Sequence, residues 1–510
     1  MRRTRIQRIK RITTHKVARA AIARKDYKGK RVTVIGFGRS GKACAELLLN
    51  MGAKVFVSDS AKCEMKSQKF VLGHESRDNI EFEFGKHTPK ILDTDMIIVS
   101  PGIPMYLPIL LEAKRRNIHV IGELEFASQF IENPIIGVTG TNGKTTTVFL
   151  IHEVLKAAGM DTITVGNLGV PLSSVVGKVK PDTIPIVEVS TFQLESINYF
   201  RPWIGVLLNI NCDHLDRHKS FEEYRNLKLS LFSNQRVDDF AILNFDDNVV
   251  RGYSLAKSKV KGISLRSRKL FFSSEGLSSV ARGFIHCLLP RTSFGATPTV
   301  WVNEDNIFWT NVDDVAQGFS LAQKEKLFSI RDLNLKWRCL LDDYLATIAV
   351  AMVLGITKEN ILKGFHSFRG VPHRLEDIGV IQGVRFINNS MCTNPSSFVK
   401  TLCSFNDVSI IPIVGGKQKG ADISPIAQAL NEKAKYVTLI GESSKNLSKL
   451  LKVVRGFSLA NSMEEAVKLA FSHASKGDVV LLSPGFASFD WFIDFRDRGE
   501  KFKKAVANLR

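Results

Sequence analysis

The chain has no apolar run approaching the roughly 18 residues that a membrane helix needs. Its basic start is followed by no apolar core of about 7–15 residues, so a secretory signal is not expected. Cysteine is scarce: seven residues, an odd count, none in a C-x-x-C pair. That argues against a disulfide framework or a structural zinc site and fits a reducing cytoplasm. Internal repeats, low-complexity linkers and aromatic–basic recognition modules are also lacking, so a repeat array and a dedicated nucleic-acid reader are disfavoured.

What is present is an ordinary soluble composition, 44% hydrophobic and 24% charged over 510 residues, long enough for several domains. The net charge of +21 is unevenly placed, because residues 1–30 hold twelve Lys or Arg and one acid, Asp26. Residues 1–28 are expected to be a disordered basic extension. Their composition also suits an anionic surface, nucleic acid or an organelle transit peptide. A nucleic-acid-binding ATPase therefore stays as a minor alternative, its charge concentrated in the tail.

The pattern of short β-branched runs alternating with helical stretches predicts an α/β protein of three units. Residues 29–130 read as a Rossmann-like unit. The run Arg31–Ile35 leads into Gly36-Phe37-Gly38-Arg39-Ser40-Gly41, a helix over Lys42–Asn50, and a second strand ending at Asp59. Residues 131–370 read as a P-loop-type central unit of parallel architecture, closed by a helix over Tyr344–Leu354. Residues 371–510 read as a second Rossmann-like unit, with Ser424 as cap of a helix starting at Pro425.

The strongest chemical signal is Gly140-Thr141-Asn142-Gly143-Lys144-Thr145-Thr146, between a buried strand and a helix. Its glycines allow backbone N–H groups to curl around phosphate, the helix N-terminus adds positive potential, Lys144 reaches the outer phosphates, and the Thr145 hydroxyl can meet Mg²⁺. ATP is the expected ligand. Mg²⁺ needs oxygen ligands, and Glu188 ends the strand over Ile184–Val189 at the same sheet edge. Asn211-Cys212-Asp213-His214-Leu215-Asp216-Arg217 follows the next strand, which makes His214 a candidate second metal ligand. The 36–41 turn can hold any phosphate, with Arg39 and Ser40 facing it and Asp59 facing a ribose or base.

These motifs in series resemble the Mur ligases. The matching runs are residues 140–146, Glu188-Val189-Ser190-Thr191-Phe192-Gln193, Asn209 to His218, Phe368 to Glu376, Gly415-Gly416 with Lys419 and Asp422, and Leu482 to Gly499. They cover residues 30 to 510 in order, and the match is strongest to the D-glutamate-adding branch. The resemblance implies a three-domain ligase. ATP phosphorylates the carboxylate of UDP-N-acetylmuramoyl-L-alanine, and the amine of D-glutamate attacks the acyl phosphate. This is peptidoglycan-precursor chemistry, carried out in the cytoplasm by a monomer. It also implies the site. Gly140, Thr141, Asn142, Gly143, Lys144, Thr145, Thr146, Arg374 and Asn389 would hold ATP, with Lys144, Lys228, His214 and Arg374 catalytic. Thr145 and Glu188 would hold one Mg²⁺, and His214 with Lys228, as a carbamate, a second. Arg39, Ser40, Asp59 and Ser60 would hold the uridine diphosphate, and Asn167, Ser190 and Gln193 the muramoyl-alanine. Thr393, Lys419, Ser488, Phe489 and Phe495 would meet glutamate.

A folylpolyglutamate-type ligase would lack the unit at 30–130. The sequence departs from the family where Asn-Asp-Ser-Lys-Ala-Thr-Asn becomes Asn388-Asn389-Ser390-Met391-Cys392-Thr393-Asn394. An acid and a lysine are gone. The His-Asn stretch expected near 339–343 reads Cys339-Leu340-Leu341-Asp342-Asp343. An active ligase with rebuilt electrostatics, a changed amino-acid choice such as L-glutamate, and a homologue that only binds nucleotide all remain open at this point.

Overall fold

The structure is a computed structural model, which describes residues 27–61, 77–214, 217–255, 265–275, 300–310, 324–405, 408–418, 420, 422–454 and 456–509. Of the expected basic extension, residues 1–26 lie outside the described residues. Tyr27 does not belong to a loose tail. It is buried, its ring packs on Phe126 and Phe130, and its hydroxyl donates to the Met96 sulfur.

The first sheet is wholly parallel. It contains β1 (Arg31–Ile35), β2 (Lys54–Asp59), β3 (Ile80–Phe84), β4 (Met96–Val99) and β5 (His119–Gly122), in the order 3-2-1-4-5. The chain reverses direction across the sheet beside β1, so the turn after β1 opens at a crevice between strand ends.

The central sheet holds β6 (Ile136–Thr139), β7 (Thr162–Gly166), β8 (Ile184–Glu188), β9 (Ile204–Leu207), β10 (Phe240–Asn244), β11 (Arg268–Ser273), β12 (Val300–Asn303), β13 (Asn306–Thr310) and β14 (Lys324–Ser329). Their order is 14-13-12-11-10-9-6-8-7. From β7 to β12 all pairs are parallel, but β13 and β14 join antiparallel. The parallel architecture expected therefore holds from β7 to β12, and two antiparallel strands extend the sheet at one edge. Two-residue turns can join neighbouring strands only in antiparallel fashion, and Glu304-Asp305 is such a turn. β6, β8 and β9 are buried at every position, as continuous apolar strands covered on both faces should be.

The helix Lys144–Ala157 opens with three threonines and a valine, β-branched residues that lower helix propensity. Tertiary packing overrides this, because Val148, Leu150, Ile151, Val154 and Leu155 are buried in the central core. The closing helix begins at Leu341, earlier than expected, and runs to Val353. A further helix, Lys358–Ser367, packs behind it through Tyr344 and Phe365, whose rings lie 4.6 Å apart.

The third sheet contains β15 (Glu376–Ile381), β16 (Val384–Asn388), β17 (Ile410–Gly415), β18 (Val437–Ile440), β19 (Phe457–Leu459) and β20 (Val479–Leu482), in the order 15-16-20-17-18-19. Only the β15–β16 hairpin is antiparallel. Ser424 is not the helix cap: the helix runs Ser424–Lys433, and the Asp422 carboxylate accepts from the Ser424 N–H at 2.9 Å. The apolar core of this unit continues into the central one through Trp337 against Phe405, ring centres 4.9 Å apart. Among the described residues no helix is long and apolar enough to cross a membrane.

Candidate active site

The turn after β6 lies between the ends of β8 and β9, where the strand order reverses. Gly143 adopts φ +88 as the left-handed residue preceding the helix Lys144–Ala157. A Cβ there would stand 2.2 Å from Asp343 Oδ1, so glycine is required both by φ and by space. Asn209 ties the loop from the other side, accepting from the Asn142 N–H at 2.8 Å. The Thr141 hydroxyl lies 2.9 Å from the Tyr224 hydroxyl. The Lys144 ammonium folds back on its own loop, donating to the Gly140 and Thr141 carbonyls at 2.8 and 3.0 Å. Burial pulls its pKa below the ordinary lysine value, while Glu188 and Asp213 oppose that shift.

Glu188 is buried at the end of β8. Its carboxylate accepts from the Thr145 hydroxyl at 2.7 Å and the Asn167 amide at 2.9 Å. Both donors are neutral, Lys144 acts on the carboxylate only through its field, and among the described residues no ion pair within contact distance serves it, which suits a cation site. The lysine at 228 is 2% exposed, donates to the Gly140 carbonyl at 2.8 Å and lies over the Tyr224 ring. Burial, and then the Lys144 charge, hold its pKa well below the ordinary value. His214 has φ +55 and packs its ring against Phe192. Among the described residues no three acids, histidines or cysteines cluster as a metal cage.

The third unit reaches into this crevice. The Asn394 amide donates to Asn142 Oδ1 at 3.1 Å and to Asp213 Oδ2 at 3.0 Å, while its own Oδ1 caps the helix Pro395–Leu402. Arg374 donates to the Ser397 hydroxyl at 3.0 Å, and its charge is felt at Lys144 and at Asp343. Asp343 accepts from the Thr147 hydroxyl, and burial pushes its pKa up to about 7. A groove between the units is lined by residues that include Asp213, His214, Thr393, Asn394, Lys417 and Phe486.

Asn389, expected at the nucleotide, has its hydrogen bonds within the third unit. It is fully buried, accepts from the Leu375 N–H and donates to the Thr401 and Ser483 hydroxyls, each at 3.3 Å. Of the glutamate-side residues, Ser488 is buried, Phe489 is exposed, and Phe495 begins the helix Phe495–Ala507 beside His373. Lys419 lies outside the described residues. Asn394, Asp343 and Lys417 were not among the expected site residues. Asn394 and Asp343 lie in stretches set apart by their departures from the family pattern, but their contacts with the phosphate loop come only from tertiary packing.

Ser190 and Gln193 form a reciprocal capping box at the helix Thr191–Leu194. Gln193 also lines a small cleft with Ser100, Gly122 and Phe192, between the first and central units. In the first unit, Asp59 accepts from the Phe37 N–H at 2.6 Å and the Ala61 N–H at 2.8 Å, so it shapes the turn itself. A Cβ at Gly41 would stand 1.8 Å from the Gly36 carbonyl, which is why the helix can start so close to β1. Arg39 donates across to the Gly169 carbonyl at 3.2 Å, Ser40 is half-buried and Ser60 is exposed.

Three profiles of one family match in series: the Mur ligase MurD-like N-terminal domain over residues 30–122, the Mur ligase middle domain over 138–291, and the Mur ligase glutamate ligase domain over 373–486. A UDP-N-acetylmuramoylalanine--D-glutamate ligase of Pelotomaculum thermopropionicum is 38% identical over 95% of this chain and 99% of its own length. The chain belongs to the Mur ligase family. The correspondingly named enzyme of Clostridioides difficile is 35% identical over 95% of this chain and all of its own length. Among solved structures, this Mur ligase shares its fold with a pseudomurein peptide ligase type C of Methanothermus fervidus (TM-score 0.56, 20% identity, 94% of this chain and 100% of that one). It also shares it with the MurF ligase of Thermotoga maritima in complex with ADP (TM-score 0.55, 18% identity, 95% and 97%).

Proposed function

We propose that this Mur ligase adds D-glutamate to UDP-N-acetylmuramoyl-L-alanine, using ATP, as a step of peptidoglycan-precursor synthesis in the cytoplasm. The observation that carries the reading is the single crevice where the 140–146 loop, Glu188 and buried Lys228 of the central unit meet Asn394 and Arg374 of the third.

A substrate carboxylate oxygen attacks the γ-phosphorus of ATP and ADP leaves, giving an acyl phosphate. The amine of glutamate attacks the acyl carbon, phosphate departs, and the nitrogen loses a proton to give the amide. The protein's task is to gather negative charge and keep water out. The backbone N–H groups at the start of the helix Lys144–Ala157 cradle phosphate, and Lys144 exchanges its loop carbonyls for phosphate oxygens. Arg374 adds charge from the facing unit. Glu188 and Thr145 would hold one Mg²⁺, and His214 with Lys228 a second; bound there, the ions neutralise charge on the transferring phosphoryl group. Lys228 suits that role only as a carbamate. Its low pKa supplies the neutral amine, whose nitrogen attacks carbon dioxide and releases a proton, turning a cation into an oxygen-donor anion. On the substrate side, Arg39 and Ser40 would meet the diphosphate, and Gln193, which lines the cleft between the first and central units, would meet the muramoyl-alanine.

The test supplies purified protein with ATP, Mg²⁺, UDP-N-acetylmuramoyl-L-alanine and D-glutamate. Phosphate release dependent on all four, and lost in Lys144→Ala, is expected. Release no greater than in that variant overturns the reading, and release with L-glutamate in place of D-glutamate overturns the assigned stereochemistry.

A further inference from the structure

We propose that Arg217 is a positioning residue that clamps together the two walls of the cleft between the first and central units, where the muramoyl-alanine end of the substrate would lie, an inference that rests on the ligase reading above. One wall is a loop of the first unit over residues 100–105, with Ser100, Ile103 and Met105, and the other is Phe192 and Gln193 of the central unit. Arg217 joins them. Its Nε and Nη2 donate to the Glu195 carboxylate at 3.0 and 2.7 Å, a bidentate pair within the central unit. Its Nη1 and Nη2 also donate across the boundary, to the carbonyls of Gly102 at 3.2 Å and Ile103 at 2.9 Å. The guanidinium lies over the Phe192 ring at 5.1 Å and the Tyr106 ring at 5.9 Å, one from each unit.

This is not the solvated ion pair that a surface arginine usually makes. The Arg217 and Glu195 side chains are 10% and 13% exposed, so solvent screens the pair little. The backbone beneath the arginine is fixed as well, because the Arg217 and His218 N–H groups donate to the His214 carbonyl at 3.0 and 2.9 Å. The clamp therefore starts from the residue expected to serve the second metal. At its far end the Ser100 hydroxyl donates to the Gly36 carbonyl at 2.9 Å, which ties the same loop to the turn expected to hold the diphosphate. A chain of contacts runs from the diphosphate turn, along the cleft wall, to His214. A substrate that leaves its diphosphate at residues 36–41 and presents a carboxylate beside His214 must lie along that wall. Loosening Arg217 leaves the diphosphate turn and the phosphate loop as they are, but it frees the wall between them, and binding must then order it. Lysine is a poor substitute, because a single ammonium lacks the planar fork that meets a carboxylate and two carbonyls at once.

Isothermal titration of wild type, Arg217→Lys and Arg217→Gln with UDP, and separately with UDP-N-acetylmuramoyl-L-alanine, tests this. Wild type is expected to bind the complete nucleotide more tightly than UDP. Both variants should bind the complete nucleotide roughly 10- to 100-fold more weakly, the loss expected of hydrogen bonds from a charged group. Their affinity for UDP should stay within about twofold of wild type, because UDP reaches the diphosphate turn and not the clamped cleft. In steady-state kinetics the KM for ATP should likewise move by less than about twofold. Equal weakening toward UDP and the complete nucleotide overturns the inference, since it would make Arg217 a residue that merely holds the first unit together. Unchanged affinity of Arg217→Lys for the complete nucleotide overturns it too. Wild-type protein that binds the complete nucleotide no more tightly than UDP overturns the ligase reading instead, so the two failures are distinguishable.

Discussion

Asp343 is a buried acid one residue's breadth from the phosphate loop, and replacing it with asparagine makes a quantitative test of the site's electrostatics. Its carboxylate is 4% exposed, and burial carries its pKa to about 7 although Arg374 and Lys400 pull it down. In the unfolded chain the same group titrates near 4. Between those values the folded protein binds more protons at this group than the unfolded one, so its contribution to stability is most favourable below pH ~4 and is lost as pH rises to ~7. Each pK unit corresponds to about 1.4 kcal/mol, so the full penalty above pH 7 is on the order of 4 kcal/mol. The asparagine side chain is isosteric and uncharged, and its carbonyl could still accept from the Thr147 hydroxyl, now 3.0 Å from Asp343 Oδ1. The stability of Asp343→Asn relative to wild type should therefore rise by about 3 kcal/mol between pH 5 and pH 8. Urea unfolding followed by tryptophan fluorescence suits this, because Trp203, Trp301, Trp309 and Trp337 all pack in the central core or its sheet. Parallel stability–pH profiles for the two proteins would refute the argument that burial raises the Asp343 pKa.

Glu188→Gln keeps the shape and the Thr145 and Asn167 contacts but removes the charge. Phosphate release should fall by at least about 100-fold with the Mg²⁺ requirement shifted upward, and a Mg²⁺ titration indistinguishable from wild type would refute the metal assignment. Lys228→Ala should lose nearly all activity and regain part of it with added short carboxylic acids, checked by the same assay; full activity without additive contradicts the carbamate. Gly143→Ala must hold φ +88 and place a methyl group against Asp343, so thermal stability should drop by about 2 kcal/mol or more, and unchanged melting would show that the loop can relax.

Much of this protein was legible because its chemistry is local. The loop from Gly140 to Thr146 carries its glycines, lysine and hydroxyls within seven residues, and the apolar runs on either side announce a strand and a helix. The same holds for the turn at 36–41 and for Glu188 at a strand end. Boundaries were read less well. Leu341 rather than Tyr344 starts the closing helix, and Asp422 rather than Ser424 holds the start of the next. Caps are set by which side chain reaches an N–H, a matter of a few tenths of an ångström.

The sequence alone therefore determined the family, the three-unit α/β plan and the phosphate cradle, since contiguous residues encode backbone conformation and hydrophobic period. Tertiary structure decided what those residues can do. The order β9-β6-β8 brings His214, Lys144 and Glu188 to one edge from strands far apart in the chain. Burial beside Lys144 makes Lys228 a weakly basic amine, a property no helix pattern could reveal. Packing within the third unit buries Asn389, while the docking of that unit on the central one brings Asn394 to the phosphate loop, although the two are five residues apart in one motif. It also places Lys417 in the groove. Charge, exposure and distance are properties of the packed molecule, and they turned the glycine-rich loop into one wall of a ligase crevice.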